Sequence, residues 1–153
     1  MTQELVEKLG DTELVFTRVL AAPRQKVWDA WADLAQVAKW WGPEGFTITT
    51  HAREFKSGGV WRLTMHGPDG TDYPNVISYI EVTPPSRIVN DHGDEQNPKM
   101  FHTVTDFIEE RSSTKIVSRM RFPSKEIREE TAKHAIPGHN STMSRLAALL
   151  GVA

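Results

Sequence analysis

The sequence has no cysteine among its 153 residues, which excludes disulfide bonds, thiolate catalysis and cysteine-ligated metals. It also lacks any apolar run near the roughly 20 residues of a membrane-spanning helix, and no signal-peptide pattern opens it. We therefore expect no membrane span and a cytoplasmic location.

Basic residues are not in excess, because the sequence has 18 Lys and Arg against 20 Asp and Glu, which gives a net charge of −2. Without a basic stripe, nucleic acid is not an expected partner. Cofactor and metal motifs are missing too, since there is no glycine-rich phosphate loop, Gly-x-Ser-x-Gly elbow or His-Glu-x-x-His pair. His134 and His139 are off the i, i+4 spacing of two helical ligands. We expect neither a cofactor nor a metal.

Two short helices are predicted near the start of the chain. Pro23 fits the first position of a helix over residues 23–31, and Asp33 fits the N-cap of a second helix. Gly42-Pro43 would end the second helix. The second helix carries an apolar stripe at i, i+3, i+4 and i+7, made of Leu34, Val37, Ala38 and Trp41.

Tryptophan is concentrated in this region, where four of the five lie between residues 22 and 45. The apolar periodicity predicts that Trp28, Trp31 and Trp41 pack inward as structural residues. Trp40, about a quarter-turn from Trp41, would then border an entrance.

Strand patterns fill the middle of the chain. A first strand is predicted over residues 13–20, and six more follow the two helices. Turn residues separate the later strands, so successive strands should pair in an antiparallel meander. One acidic connection, residues 91–98, is longer and is predicted to be a mobile loop. The six later strands span residues 46–55, 59–66, 72–82, 86–91, 100–110 and 113–122.

A helical pattern closes the chain, with Ser124 as its N-cap and an end near Leu150. Pro137-Gly138 predicts a kink or two segments. The elements together predict an α+β fold in which a seven-stranded curved antiparallel sheet wraps around a long C-terminal helix. Two short helices lie between strands 1 and 2. We expect residues 1–153 to form a single domain, with residues 1–11 as a flexible lead-in.

A series of motifs runs in order along nearly the whole chain. Its members are Ala22-Pro23-Arg24, Val27-Trp28-Asp29-Ala30-Trp31, Trp40-Trp41-Gly42-Pro43, Gly58-Gly59-Val60-Trp61-Arg62, Gly67-Pro68-Asp69-Gly70, residues 79–89, and Gly138 with residues 143–150. The series resembles the activator of heat-shock-protein-ninety ATPase-like family, which belongs to the START-like or SRPBCC superfamily with the helix-grip fold.

The resemblance implies a deep apolar cavity between the sheet and the C-terminal helix. In the superfamily that cavity binds lipids, sterols, polyketides, plant hormones and other small hydrophobic molecules, so the resemblance alone does not identify a ligand. The chain departs from the family at Gly138-His139, where Gly-Trp is common. Because histidine removes volume and adds a titratable group, we expect a larger or more polar cavity.

Residues at inward positions are candidate ligand contacts, although aromatic and methionine residues there also serve as core. His139 shares a helix face with Met143 and Leu146, and it is either a polar ligand contact or general base, or a hydrogen-bonded histidine at the rim. The predicted ligand-binding residues are Trp40, Trp61, Leu63, Met65, Ser78, Ile80, His139, Met143 and Leu146.

His102 and Asp106 alternate with aromatic and threonine residues on one predicted strand. Pointing inward, they would form a polar pair in the cavity suited to acid–base chemistry, whereas outward they would belong to an ordinary solvated face. The aromatic residues on the opposite face favour the outward arrangement. His66 presents the same choice on another strand.

The leading functional hypothesis is a binding module for a small hydrophobic or amphipathic molecule of lipid, polyketide or aromatic type, without catalysis. An alternative is a cyclase- or hydrolase-like enzyme that uses His139, His102 or Asp106, which requires these side chains to converge in the pocket. A second alternative is a co-chaperone-like or regulatory interaction module, which requires a sizeable exposed apolar patch. A homodimer formed through a sheet edge or a helix is compatible with the pattern.

Overall fold

The computed structural model describes residues 4–152, which form an α+β fold of eight strands and three helices. The elements in chain order are β1 (Leu5–Leu9), β2 (Glu13–Leu20), α1 (Arg24–Ala32), α2 (Leu34–Trp40), β3 (Thr47–Arg53), β4 (Val60–His66), β5 (Asp72–Thr83), β6 (Arg87–Gly93), β7 (Phe101–Glu110), β8 (Ser113–Arg121) and α3 (Lys125–Leu149).

The eight strands form one antiparallel sheet in the order β1-β2-β8-β7-β6-β5-β4-β3. Strands β3 to β8 are an uninterrupted meander, and β2 returns to pair with β8 from Glu13–Arg121 to Leu20–Thr114. The curved sheet and the long helix α3 match the predicted helix-grip arrangement.

The eighth strand, β1, was not predicted. Residues Leu5–Leu9 lie in the expected flexible lead-in, yet they pair with β2 through a turn at Gly10, whose φ is +53°. Most β1 side chains are exposed because it is an edge strand, so it lacks the apolar alternation by which strands are found in a sequence. Residues 1–3 of the lead-in lie outside the described residues.

The other strands agree with the predicted ones to within a few residues. The main difference is at β6, which continues to Gly93 and takes up residues 91–93 of the predicted acidic loop. A β-bulge lies between Tyr79 and Glu81 of β5. It places one extra residue, Ile80, opposite the β6 step from Asn90 to Val89 and changes which side chains face inward.

Helices α1 and α2 form where the sequence predicted them, with local differences at their ends. Pro23 is the N-cap residue of α1 and not its first helical residue. The Asp33 carboxylate caps α2 by accepting a hydrogen bond from the backbone N–H of Ala35 at 3.2 Å. Helix α2 ends at Trp40, and Trp41 is already extended. The predicted stripe is therefore wrong, because Val37 and Trp40 are buried whereas Leu34 and Ala38 are exposed.

The sequence predicted either a kink or two segments at Pro137-Gly138. Helix α3 is continuous from Lys125 to Leu149, so the division into two segments is wrong. Proline lacks only one backbone N–H, and the turns on either side keep their own hydrogen bonds. The Ser124 hydroxyl caps the helix by accepting from the N–H of Ile127 at 3.2 Å. The expected inward face of the second half is buried, with Met143, Leu146, Ala147 and Leu150.

Several arginine side chains connect α3 to its neighbours. Arg145 donates to the carbonyl oxygens of Trp41, Gly42 and Pro43 at 2.8–3.4 Å, and so holds the segment that follows α2. Arg18 of β2 is buried and donates to the side chains of Asn140 and Ser144 at 3.3 Å. The Arg18 contacts join α3 to the sheet, and the Arg145 contacts join it to the segment that follows α2.

Candidate functional site

A cavity of about 550 Å³ lies between the inner face of the sheet and α3. Helix α3 contributes one wall, strands β4 to β8 contribute the floor, and the end of α2 closes one side. Of the α3 residues that line it, Glu130 and His134 are exposed to solvent, so the cavity opens beside the N-terminal half of this helix.

The walls of the cavity are mainly apolar and rich in aromatic rings. Trp31, Trp40 and Trp41 lie at the α2 end, and Trp31 and Trp40 pack edge to face with ring centroids 4.5 Å apart. The remaining apolar lining consists of Met65, Ile77, Tyr79, Ile88, Phe101, Met120, Phe122, Ala135 and Met143, with Gly42 and Pro43. Aromatic surfaces of this kind bind flat apolar groups well.

Four small polar side chains form a patch in the floor, which we call the polar floor: Asn90 on β6, Thr103 and Thr105 on β7, and Ser118 on β8. They are neighbours in the sheet, because Asn90 pairs with Thr103 and Thr105 pairs with Ser118. All four residues are buried. All four residues line the cavity, so their polar groups are available to a molecule that binds there.

Two histidines of the lining are fixed by hydrogen bonds to residues behind them. His92 of β6 lies 2.6 Å from Oδ1 of Asn75 through its Nε2 atom. Burial lowers the pKa of His92 from its ordinary value of 6.5 to about 4, since a cation is poorly solvated there. His92 is therefore a neutral ring at pH 7.

His139 of α3 is held on two sides. Its Nδ1 atom lies 2.6 Å from Oε2 of Glu4, and the Glu4 side chain is 1% exposed. Its ring stacks on Phe16 of β2, with centroids 4.2 Å apart and planes inclined by 19°. Because Phe16 pairs with Ser118, the imidazole borders the polar floor on its β8 side.

Four of the nine predicted ligand-binding residues line the cavity: Trp40, Met65, His139 and Met143. Trp40 lines the cavity but is fully buried, and its indole N–H donates to the carbonyl oxygen of Ala30 at 3.0 Å. The expectation that Trp40 borders an entrance is therefore wrong. Its neighbour Trp41, extended beyond the helix end, is the partly exposed ring.

The other five predicted residues lie outside the lining. Trp61, Leu63 and Leu146 face inward as predicted but are enclosed in the core, where their neighbours fill the space around them. Ser78 and Ile80 were assigned to the wrong face of β5. Alternation in the folded strand places Ile77 and Tyr79 inward, and Ile80, at the bulge, is 52% exposed.

His102 and Asp106 lie on the outer face of the sheet, in agreement with the favoured arrangement. His102 contacts Asp91 at 2.9 Å, and Asp106 pairs with Arg87 at 2.7 Å. His66 is also outside the cavity, between Thr49 and Asp72. The convergence of His102, Asp106 and His139 that the enzymatic alternative required is absent among residues 4–152.

The sequence analysis missed several cavity residues, among them His92, Asn90 and Ser118, and it also missed Glu4, the partner of His139. For Thr103 and Thr105 a signal existed, since they share a strand face with Phe101 and Phe107 and were placed there without a role. A polar residue at an inward position between aromatics indicates either a partnered buried group or the floor of a cavity.

In residues 4–152, no cluster of three or more His, Cys, Asp or Glu could hold a metal ion. None of the described helices is long and apolar enough to cross a membrane.

Solved structures with the same fold come from several bacteria. A Mycobacterium smegmatis protein, Ms6760, has a TM-score of 0.87 and 26% identity over 99% of this chain and 98% of its own. A Rhodobacter sphaeroides protein has a TM-score of 0.86 and 20% identity over 97% and 98%. CalU16 from Micromonospora echinospora has a TM-score of 0.68 and 16% identity over 97% and 85%.

Sequence comparison gives the family. No curated protein matches the chain significantly in sequence. The family model for "Activator of Hsp90 ATPase homolog 1-like protein" matches residues 21–151, which leaves out β1 and β2. Its fold is of the ligand-binding type. The chain therefore belongs to the Activator of Hsp90 ATPase homolog 1-like family within the SRPBCC superfamily.

Proposed function

We propose that this protein binds a small hydrophobic or amphipathic molecule, of lipid, polyketide or aromatic type, between the sheet and α3. The observation that carries this proposal is the polar floor. Asn90, Thr103, Thr105 and Ser118 bring small polar groups to a cavity whose walls are mainly apolar. Because buried polar groups are almost always partnered, we expect a molecule or water in the cavity to form hydrogen bonds with them.

The size and lining of the cavity support the same conclusion. Its volume of about 550 Å³ falls within the range of roughly 300–1,000 Å³ typical of small-molecule sites. Such sites combine mostly apolar and aromatic walls with a few fixed polar groups. Here the rings of Trp31, Trp40 and Trp41 supply the first and the polar floor supplies the second.

The two alternatives have less support. A cyclase- or hydrolase-like enzyme would have to work with His139 and Glu4, because His102 and Asp106 are on the other face of the sheet. An interaction module would need a continuous apolar surface, but large exposed apolar side chains such as Leu34, Ile80 and Ile127 belong to different elements. Dimerisation and a cytoplasmic location stay predictions.

The experiment is a fluorescence titration with N-phenylnaphthylamine, a neutral apolar probe that brightens in apolar surroundings. Ser118→Phe places a ring in the cavity, and Val117→Phe adds the same ring to the adjacent outward residue of β8 as a matched control. We expect the wild type and Val117→Phe to bind the probe with similar affinity and Ser118→Phe to lose binding. Equal binding by a folded Ser118→Phe variant would refute the proposed location.

A further inference from the structure

Glu4 and His139 form a buried contact between two ionisable side chains. Glu4 precedes β1, and His139 lies on α3 at the cavity wall. Among residues 4–152, Oε1 of Glu4 is buried without any hydrogen-bond partner. A buried carboxylate oxygen without a hydrogen-bond partner raises the free energy of the folded protein. We therefore expect the Glu4 carboxylate to influence the function of His139.

The contact with Glu4 determines which nitrogen of His139 is available. Nδ1 lies 2.6 Å from the carboxylate, and a carboxylate only accepts, so Nδ1 carries the proton and donates it. When the ring is neutral, the hydrogen bond at Nδ1 sets the tautomer and Nε2 presents a lone pair. Since Glu4 is not part of the lining and His139 is, Nε2 is the nitrogen left for the cavity.

The other residues that line the cavity provide few ionised groups that could neutralise a charged ligand. Within the described chain, Glu130 is the one lining residue with a carboxylate or an amino or guanidinium group, and it is exposed and pairs with Lys133 at 2.9 Å. The polar floor is uncharged, His92 is bound to the Asn75 amide, and His134 lies at the exposed opening of the cavity. Burying an unpaired ionic group is strongly unfavourable, so the ligand should be uncharged.

Building on the proposed function, we infer that the ligand is a neutral hydroxylated aromatic compound whose hydroxyl donates a hydrogen bond to Nε2 of His139. Its rings pack among Trp31, Trp40 and Trp41, and its remaining polar substituents meet the polar floor. His139 is then a specificity residue of the binding site, and Glu4 is a positioning residue that acts through it.

The test uses three naphthalene probes that share one ring system. β-Naphthol carries the hydroxyl donor, its methyl ether keeps the oxygen but not the donor, and β-naphthoate carries a charge. Isothermal titration with the wild type should give an affinity for β-naphthol about tenfold above that for the ether, the value of one well-placed hydrogen bond. β-Naphthoate should bind most weakly.

Variants of Glu4 and His139 test whether the preference for β-naphthol over its ether depends on the contact between these two residues. His139→Phe keeps a ring that can stack on Phe16, and it should lower the affinity for β-naphthol about tenfold without changing that for the ether. Glu4→Gln removes the charge that fixes the tautomer, so it should lower the naphthol affinity alone. His102→Phe, on the outer face, is the matched control and should behave as the wild type. The double variant Glu4→Gln/His139→Phe serves if the single change at His139 prevents folding.

The outcomes separate this inference from the proposed function. Equal affinities for β-naphthol and its ether, unchanged naphthol binding by His139→Phe, or tightest binding of β-naphthoate would each overturn the inference and leave the cavity as the binding site. Failure of all three probes alongside normal N-phenylnaphthylamine binding would overturn the inference as well. Failure of every probe, N-phenylnaphthylamine included, would overturn both.

Discussion

The indole nitrogen of Trp40 lies 3.0 Å from the carbonyl oxygen of Ala30, and the side chain is fully buried. Trp40 thus joins the end of α2 to α1 while one side of its ring lines the cavity. Trp41 follows directly but is partly exposed and packs on Trp61, with centroids 5.0 Å apart. The two adjacent rings therefore have different structural roles.

Because of this difference, replacing Trp40 and Trp41 by phenylalanine should lower the free energy of unfolding by different amounts. Trp40→Phe removes a buried hydrogen bond and leaves unfilled volume, so we expect the free energy of unfolding to fall by about 2 kcal/mol. Trp41→Phe should cost less than about 1 kcal/mol because its ring is partly in solvent. Urea denaturation of the two variants measures both values. A larger loss for Trp41→Phe than for Trp40→Phe would contradict the assignment.

Arg145 predicts a second effect on stability. Its guanidinium donates to backbone carbonyls at the end of α2, including that of Gly42 at 2.8 Å. Arg145→Met should lower the free energy of unfolding by about 2 kcal/mol, since several charged hydrogen bonds are lost. Arg145→Lys should recover only part of this, because an ammonium group cannot span the same set of carbonyls.

Arg119 offers a control for that measurement. It pairs with Glu13 at 3.3 Å on the surface, and its side chain is half exposed. Arg119→Met should therefore change the free energy of unfolding by less than about 1 kcal/mol. Equal losses from Arg145→Met and Arg119→Met would show that the backbone contacts of Arg145 contribute little.

His92 predicts a pH dependence of stability. Its pKa is about 4 in the folded protein, against an ordinary value of 6.5. Between these pH values the unfolded chain binds the proton and the folded protein does not, so protonation favours unfolding. The contribution is complete above pH 6.5 and is lost as the pH falls toward 4, with a total of about 3 kcal/mol.

The variant His92→Gln isolates this contribution from that of the carboxylates. Gln keeps a side-chain donor for Asn75 but does not titrate, so its stability should fall less steeply than that of the wild type between pH 6.5 and 4. Denaturant unfolding at several pH values gives both curves. Parallel curves over this range would show that His92 titrates alike in the folded and unfolded states.

Much of the fold was accessible from the sequence because its strands are half buried and its turns carry Gly, Pro, Asp and Ser. The edge strand β1 was not, since its side chains are mostly exposed and its pairing with β2 depends on backbone geometry. The inward face of β5 was also missed. Apolar residues occur on both faces of β5, with Val76 and Ile80 on one face and Ile77 and Tyr79 on the other, so alternation alone does not identify the inward face.

The candidate site was predictable only in part, because neighbours in space decide whether an inward residue is core or cavity. Leu63 and Met65 alternate on the same face of β4, yet the first is enclosed by the core and the second lines the cavity. His139 was identified from its helical spacing, whereas its partner Glu4 lies 135 residues away in the sequence. Contacts of that range arise from the topology alone.

The methionines provide the most direct test of binding in the cavity. Met65, Met120 and Met143 line it, whereas Met100 is 40% exposed and lies outside it. With carbon-labelled methionine methyl groups, an NMR titration with N-phenylnaphthylamine should shift the signals of the three cavity residues and leave that of Met100 in place. If the probe saturates the protein and shifts the signal of Met100 but not those of Met65, Met120 and Met143, this result would contradict binding between the sheet and α3.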